Sequence, residues 1–281
     1  MNSPIPEILL SDGLALPAIG LGTYLLNGAE GIKAMVGGIH LGYRLLDSAF
    51  NYENEGAVGQ AVKRSGVPRE KLLVTSKLPG RHHAYKEAVN TIQESLYRAG
   101  LDYYDLYLIH WPNPGRNLYV EAWQALLDAQ KWGLIRSVGV CNFLPEHIER
   151  LVKETGIGPS VNQIELHPSF SQKGQLAWHK AHGVVTEAWS PLGRQNAGVM
   201  QNPGVVEIAR RHGRSVTQVV LRWHVQRGVL PIPKSSSLKR QAENLAIFDF
   251  ALSEEEMGVI GALTHPGGRI RNQDPAVYEE F

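Results

Sequence analysis

Short, nearly unbroken apolar runs alternate along this chain with segments in which apolar residues recur every three or four positions. The runs cover residues 19–23, 44–48, 71–77, 105–110, 136–141, 160–165, 184–189 and 229–233. Continuous apolar character predicts parallel strands buried on both faces. Between the runs, Ala57, Val58, Ala61 and Val62 form one helical stripe, and Val89, Ile92, Leu96 and Ala99 form another, with Glu94 and Arg98 on its far side. Val216, Val219, Val220 and Trp223 form a third late in the chain. Ahead of the first run, residues 7–10 and 14–17 flank Asp12-Gly13, which predicts a hairpin with a type I′ turn.

Eight strand–helix units with no linker rich in Pro, Gly or Ser predict an α/β fold, a single (β/α)8 TIM barrel spanning residues 1–281 as one domain. The hairpin occupies residues 1–17, an extra helix 253–263 and a polar tail 264–281. A doubly wound open sheet would share the alternation and is the alternative architecture.

A charged fraction of 20% and a net charge of +1 leave no basic footprint, so neither nucleic acid nor an anionic membrane is an expected partner. Cys141 is the single cysteine, which excludes a disulfide framework and a cysteine-based metal site. Residues 1–7 hold two prolines and no apolar core of a signal peptide, and no apolar stretch reaches membrane-spanning length. The expectation is a cytoplasmic, monomeric protein acting on a small molecule.

Three ionisable residues end successive runs: Asp47, Lys77 and His110, with Tyr52 five residues past Asp47. Parallel strands place their C-terminal ends on one face, so an acid, an amine, an imidazole and a phenol converge there. An ammonium beside a phenol favours the phenolate and lowers a pKa that is otherwise near 10; a carboxylate keeps that ammonium charged. The imidazole can hydrogen-bond a carbonyl and orient it. The group suits protonation of a carbonyl oxygen while a hydride arrives from elsewhere. Each residue taken alone is equally well a polar strand end; the four together are the signal.

Gly20-Leu21-Gly22 begins like a dinucleotide fingerprint but lacks the third glycine and a helix opening on it. Lys234-Ser235-Ser236-Ser237, before a helical stretch with Lys239, Arg240, Glu243 and Asn244, is either an anion site or an ordinary capped helix start. Trp189 is a flat wall for a nicotinamide ring or upper-layer packing, and Asn142 and Gln163 grip a carboxamide or are structural. His179 and His182 lack a third ligand, which points to wet surface rather than metal.

The segments Leu41-Gly42-Tyr43-Arg44-Leu45-Leu46-Asp47-Ser48-Ala49, Asp105-Leu106-Tyr107-Leu108-Ile109-His110-Trp111-Pro112, Ser137-Val138-Gly139-Val140-Cys141-Asn142-Phe143, Val161-Asn162-Gln163-Ile164-Glu165-Leu166-His167-Pro168 and Ile232-Pro233-Lys234-Ser235 resemble the aldo-keto reductases nearly end to end. The compact bacterial 2,5-diketo-D-gluconate reductase type is most similar, since the loops after strand four and at the chain's end are short. The resemblance implies NADPH-dependent carbonyl reduction with Tyr52 as general acid, Lys77 and Asp47 tuning it, and His110 orienting the carbonyl. It further implies that Gly22, Thr23 and Asp47 border the cofactor and that Cys141, Asn142 and Gln163 hold the carboxamide. Trp189 would stack on the nicotinamide, while Ser190, Leu192 and Gly193 line the pyrophosphate. Lys234, Ser235 and Arg240 would take the 2′-phosphate, Glu243 and Asn244 the adenine, and Tyr24, Phe50 and Trp111 would wall the substrate pocket. Cys141, Trp189 and Ser48 stand where the pattern more often has serine, tyrosine and threonine, and Pro79 where a pocket tryptophan is common. A Schiff-base aldolase using Lys77 and a non-catalytic NADPH-binding interaction module are the competing readings.

Overall fold

The computed structural model describes residues 4–195 and 197–281. Two short strands, β1 (Glu7–Leu9) and β2 (Ala15–Pro17), pair antiparallel with Ile8 opposite Leu16. Their turn differs from the expected type I′. The Gly13 N–H donates to Leu10 O at 3.0 Å, and of the loop residues only Gly13 has positive φ, at 90°. Type I′ needs positive φ at both central residues; Ser11-Asp12-Gly13 instead forms a three-residue loop, a turn followed by a glycine bulge.

Eight parallel strands follow: β3 (Leu21–Gly22), β4 (Leu45–Asp47), β5 (Leu73–Leu78), β6 (Tyr104–Ile109), β7 (Ile135–Cys141), β8 (Val161–Glu165), β9 (Val185–Trp189) and β10 (Val229–Pro231). Each bonds to its neighbours in chain order, with no reversal. The ring closes where Gly20 and Gly22 donate their N–H groups to Pro231 O and Pro233 O, both at 3.1 Å. Prolines carry no N–H, so this seam uses their carbonyls as acceptors only. Gly20 lets the strands approach closely there: a Cβ would lie 2.6 Å from Ile232 Cδ1, and that side chain would have to shift. Closure excludes the open doubly wound sheet, and it gives those two glycines a packing role.

The hairpin plugs the barrel floor. Leu10, Leu14 and Leu16 join Leu45, Leu106, Leu108, Cys141, Val161, Leu230 and Ile232 in one interior apolar cluster. Asp12 accepts from Ser137 Oγ at 2.6 Å, near the start of β7, which identifies this end as the N-terminal face of the strands.

Outside run α1 (Gly28–Leu41), α2 (Glu55–Arg64), α3 (Tyr85–Ala99), α4 (Tyr119–Lys131), α5 (Pro145–Thr155), α6 (Lys173–Ala181), α7 (Ala197–Met200), α8 (Pro203–His212), α9 (Val216–Gln226), α10 (Leu238–Leu245) and α11 (Glu254–Gly261). The three apolar stripes read from the sequence are α2, α3 and α9, and the extra helix is α11, capped by Ser253. Helices α8 and α11 pack together against α9, outside the ring. His179 is not wet surface: it is buried on α6, with Nε2 3.0 Å from Asn162 Nδ2 and Nδ1 2.8 Å from Thr186 Oγ1. Burial pushes its pKa down to about 4, so it is a neutral core histidine. No described helix is long and apolar enough to cross a membrane.

Candidate active site

Asp47 ends β4, Lys77 is the penultimate residue of β5, and His110 directly follows β6. These three strands are adjacent and parallel, so the three side chains meet above the same face of the barrel. Tyr52 ends a 3-10 turn, Phe50–Tyr52, in the loop leaving β4. That loop is braced: Asn54 accepts from Ser48 Oγ at 2.7 Å and donates to Thr23 O at 2.6 Å.

Lys77 Nζ donates to Asp47 Oδ1 at 2.8 Å, Asp47 Oδ2 at 2.7 Å and Ser48 O at 2.6 Å. All three ammonium protons are thereby used. Burial pushes the ammonium pKa down, but the Asp47 carboxylate and Tyr52 outweigh it and the net shift is upward. An imine-forming lysine must be a free neutral amine, so this environment counts against Lys77 as a nucleophile. The ammonium lies 5.1 Å from the centroid of the Tyr52 ring. Burial pushes the Tyr52 phenol up to about 12; Lys77 pulls it down, while Asp47, Cys141 and Glu280 add to the rise. This reverses the lowered phenol expected from the sequence, because the neighbouring ammonium is outweighed by a desolvation that residue order does not reveal. A phenol so placed is fully protonated at neutral pH, as a proton donor must be.

His110 packs edge-on against Tyr52, ring centroids 5.9 Å apart, and its Nδ1 is 2.6 Å from Glu280 Oε1. Gln163 Nε2 donates to Asp47 Oδ1 and to Glu187 Oε2, each at 2.8 Å. Glu187 is buried in the barrel; burial and then the Asp47 charge push it up to about 7.

These groups open into a cavity of about 540 Å³. It is lined by Gly22, Thr23, Tyr24, Asp47, Tyr52, His110, Trp111, Cys141, Asn142, Gln163, Trp189, Ser190, Leu192 and Lys234, all expected from the sequence. Lys77 lies beneath it. Phe50 is not on its wall: it is buried between His82, at 5.6 Å, and Arg98, at 4.0 Å. The turn that presents Tyr52 directs Phe50 away. Ser235, Arg240, Glu243 and Asn244 also lie off the cavity wall, before and along α10, as does Gly193 in the loop after β9. The walls that sequence reasoning missed are Leu25, Pro191, Arg194, Ile232 and Pro233 and, from the tail, Arg271, Gln273, Tyr278 and Glu280. Tyr278 packs on Trp111 with ring centroids 4.4 Å apart. The tail is polar and without periodicity, so no local pattern marks it as part of a site.

The residues fit a nicotinamide dinucleotide phosphate. Both Gln163 amide protons are committed to carboxylates, so its Oε1 is the atom left to accept from a carboxamide. Trp189 presents a ring face held in place, since its Nε1 donates to Asn142 Oδ1 at 2.7 Å. Asn142 Nδ2 donates to His110 O at 3.0 Å, so this side chain has less to offer a carboxamide than its type suggests. Cys141 is buried, and burial holds its thiol protonated well above its usual pKa. At α10, Ser237 caps the helix by accepting from Arg240 N, and Ser235 Oγ is within 3.4 Å of Arg240 Nε. Unpaired N–H groups of the first turn, together with Lys234 and Arg240, make an anion corner.

Residues 18–264 match the sequence model of the Aldo/keto reductase family. The chain is 49% identical over 277 residues to 2,5-diketo-D-gluconic acid reductase B of Corynebacterium sp., covering 99% of both chains. It is 42% identical over 268 residues to a methylglyoxal reductase of Escherichia coli, covering 95% of this chain and 96% of the other. Its fold is similar to the crystal structure of a Gox0644 mutant in complex with NADPH, with a TM-score of 0.93, 38% identity, and 99% and 100% of the two chains covered.

Proposed function

The chain belongs to the aldo/keto reductase family, whose members are NADP-dependent oxidoreductases, and from that premise we propose that it reduces small carbonyl compounds to alcohols with Tyr52 as proton donor. The observation that carries this reading is the stack of Tyr52 over a Lys77 ammonium whose three protons are all bound by Asp47 and Ser48. NADPH, when bound, supplies the hydride. Tyr52 gives its phenolic proton to the carbonyl oxygen, and the fixed charge of Lys77 stabilises the phenolate that results. His110, packed edge-on beside Tyr52, orients the carbonyl. Gln163 and Trp189 hold and back the nicotinamide, with Gly22, Thr23, Cys141 and Asn142 around it. Ser190, Leu192 and Gly193 follow the pyrophosphate, while Lys234, Ser235 and Arg240 take the 2′-phosphate and Glu243 and Asn244 the adenine.

The substrates are small: 2-oxo aldehydes, diketones, aryl aldehydes or keto-sugar acids. A cavity of about 540 Å³ must take the nicotinamide end of the cofactor as well as the substrate, which leaves little room for a large apolar body. Tyr24, Trp111 and Tyr278 supply aromatic walls for a small carbonyl. The tail narrows a mouth that short loops alone would leave open. The names of the two relatives, a diketo-sugar-acid reductase and a methylglyoxal reductase, support the same range. The barrel closes on itself within this chain, which supports one barrel domain over residues 1–281, and we propose that it acts as a monomer.

The test is NADPH absorbance followed against a panel of these carbonyls and a steroid ketone. Oxidation with the small carbonyls is expected. A highest kcat/KM for the steroid overturns the size argument, and no turnover with any carbonyl overturns the reductase reading.

A further inference from the structure

Glu187 is a buried acid of the barrel interior that the chemistry above does not use. On β9 it precedes Trp189 by two residues, and side chains two apart on a strand share a face. Trp189 lines the cavity, so Glu187 lies one layer deeper on the same side. It is also the register partner of Gln163 on β8, and its Oε2 accepts from Gln163 Nε2 at 2.8 Å. The carboxyl group therefore sits beneath the two residues assigned above to backing and holding the nicotinamide.

Its other oxygen, Oε1, has no hydrogen-bond partner among the described residues. Lys77 does not compensate it with an ion pair, since the ammonium spends its three protons on Asp47 and Ser48. Gln163 Nε2 divides its two protons between Glu187 and Asp47, so the two acids share one amide. A buried carboxylate with a bare oxygen, a negative neighbour and no cation of its own is costly, which favours the neutral acid. Burial and the Asp47 charge accordingly push its pKa up to about 7, against smaller pulls from Gln163 and Lys77. Burial keeps the Cys141 thiol on β7 and the Tyr52 phenol protonated. On its other side β10 supplies only Val229, Leu230 and Pro231, while His179 lies across β9, bonded to Thr186.

A positive charge placed above Glu187 reverses that preference. The oxidised nicotinamide ring carries one, and the reduced ring does not. We propose, on the seat that the reductase reading gives the nicotinamide, that Glu187 is a buried counter-ion for the oxidised ring, so that its ionisation strengthens binding of NADP+ relative to NADPH. When NADP+ binds to the neutral acid, the carboxyl O–H bond breaks and its proton leaves to solvent; NADPH causes no such release. Glu187 is off the cavity wall and acts through its charge and through Gln163.

Dissociation constants of NADP+ and NADPH, measured by calorimetry from about pH 5.5 to about pH 8.5, test this without turnover. In wild type the preference for NADP+ should grow as pH rises towards about 7, by about tenfold for each unit that the oxidised ring lowers the Glu187 pKa. In Glu187→Gln, which keeps the size and an acceptor for Gln163, the ratio should stay at its acid-side value. The 2′-phosphate is common to both cofactors, so its own titration cancels in the ratio. Just below about pH 7, NADP+ should also release more protons than NADPH on binding wild type, up to about one per site. Buffers of different ionisation enthalpy read that release, and it needs no variant. Equal release by the two cofactors, or the same pH dependence of the ratio in Glu187→Gln, would make Glu187 a structural acid and overturn the proposal. Trp189 emission that neither cofactor quenches would instead unseat the nicotinamide, and with it the placement on which the counter-ion depends.

Discussion

Lys77 Nζ bridges the two carboxylate oxygens of Asp47 at 2.8 and 2.7 Å in a site from which solvent is excluded on both sides. Such a pair is tolerated because both charges are present; removing one leaves the other buried, at a cost of about 3–5 kcal/mol. Lys77→Met should therefore lose stability together with activity. Adding Asp47→Asn should recover much of the stability and none of the reduction. Denaturant unfolding of the single and double variants measures this, and a double variant no more stable than Lys77→Met would contradict the pairing argument.

Tyr52→Phe removes a hydroxyl and keeps the ring that packs on His110 and Tyr24. NADPH affinity should stay within about twofold, while kcat falls by about two to four orders of magnitude, the usual contribution of a general acid. Single-turnover kinetics reads the chemical step directly. Near-wild-type kcat would move the proton donor elsewhere.

NADPH should quench part of the tryptophan emission through Trp189. Trp189→Leu should lose more of that quench than a variant of Trp132, which is exposed and far from the cavity. Equal quenching in both would put the nicotinamide on another wall.

Arg240→Ala should weaken NADPH by about ten- to a hundredfold and leave NADH nearly unchanged, because the guanidinium faces the site proposed for the 2′-phosphate. The remaining NADPH affinity should also depend less on salt. Equal losses for both cofactors would assign Arg240 to the helix start it borders through Ser235.

Glu187 gives the protein a stability that depends on pH. Its folded pKa, about 7, lies above the ordinary glutamate value of 4.5, so between those values the folded state holds a proton that the unfolded chain has released. Stability then falls as pH rises through that window and levels off above about 7. Glu187→Gln should match wild type near pH 4 and exceed it by a few kcal/mol at most near pH 8, since a tenfold change in proton affinity is worth about 1.4 kcal/mol. Unfolding midpoints of both proteins across that range decide it; a constant difference would mean that Glu187 ionises normally.

The barrel was legible because its strands are buried on both faces and its helices on one, so hydrophobic period alone separates them. Helix α8 was not, although Asn202-Pro203 marks its start and Val205, Ile208 and Ala209 form its buried stripe. The convergence of Asp47, Lys77 and His110 was legible because strand ends carry a fixed direction. Phe50 was misassigned because a 3-10 turn, unlike a strand, sets each side chain's direction by local backbone angles. Glu280 escaped because its partner is 170 residues distant in a segment without periodicity. The desolvation that raises Tyr52 was also hidden, because residue types reveal charges but not buried area.

The barrel's closing seam joins residues 20–22 to 231–233, so the ring is completed by a contact spanning about 210 positions. Contacts of such long range are entropically expensive to bring together and form late. Until they do, β3 and β10 are open edges with free backbone groups, the exposed state in which parallel sheets aggregate. The amide hydrogens of Gly20 and Gly22 should then be among the last barrel amides to gain protection during refolding, and their exchange in the native state should report how often the ring opens.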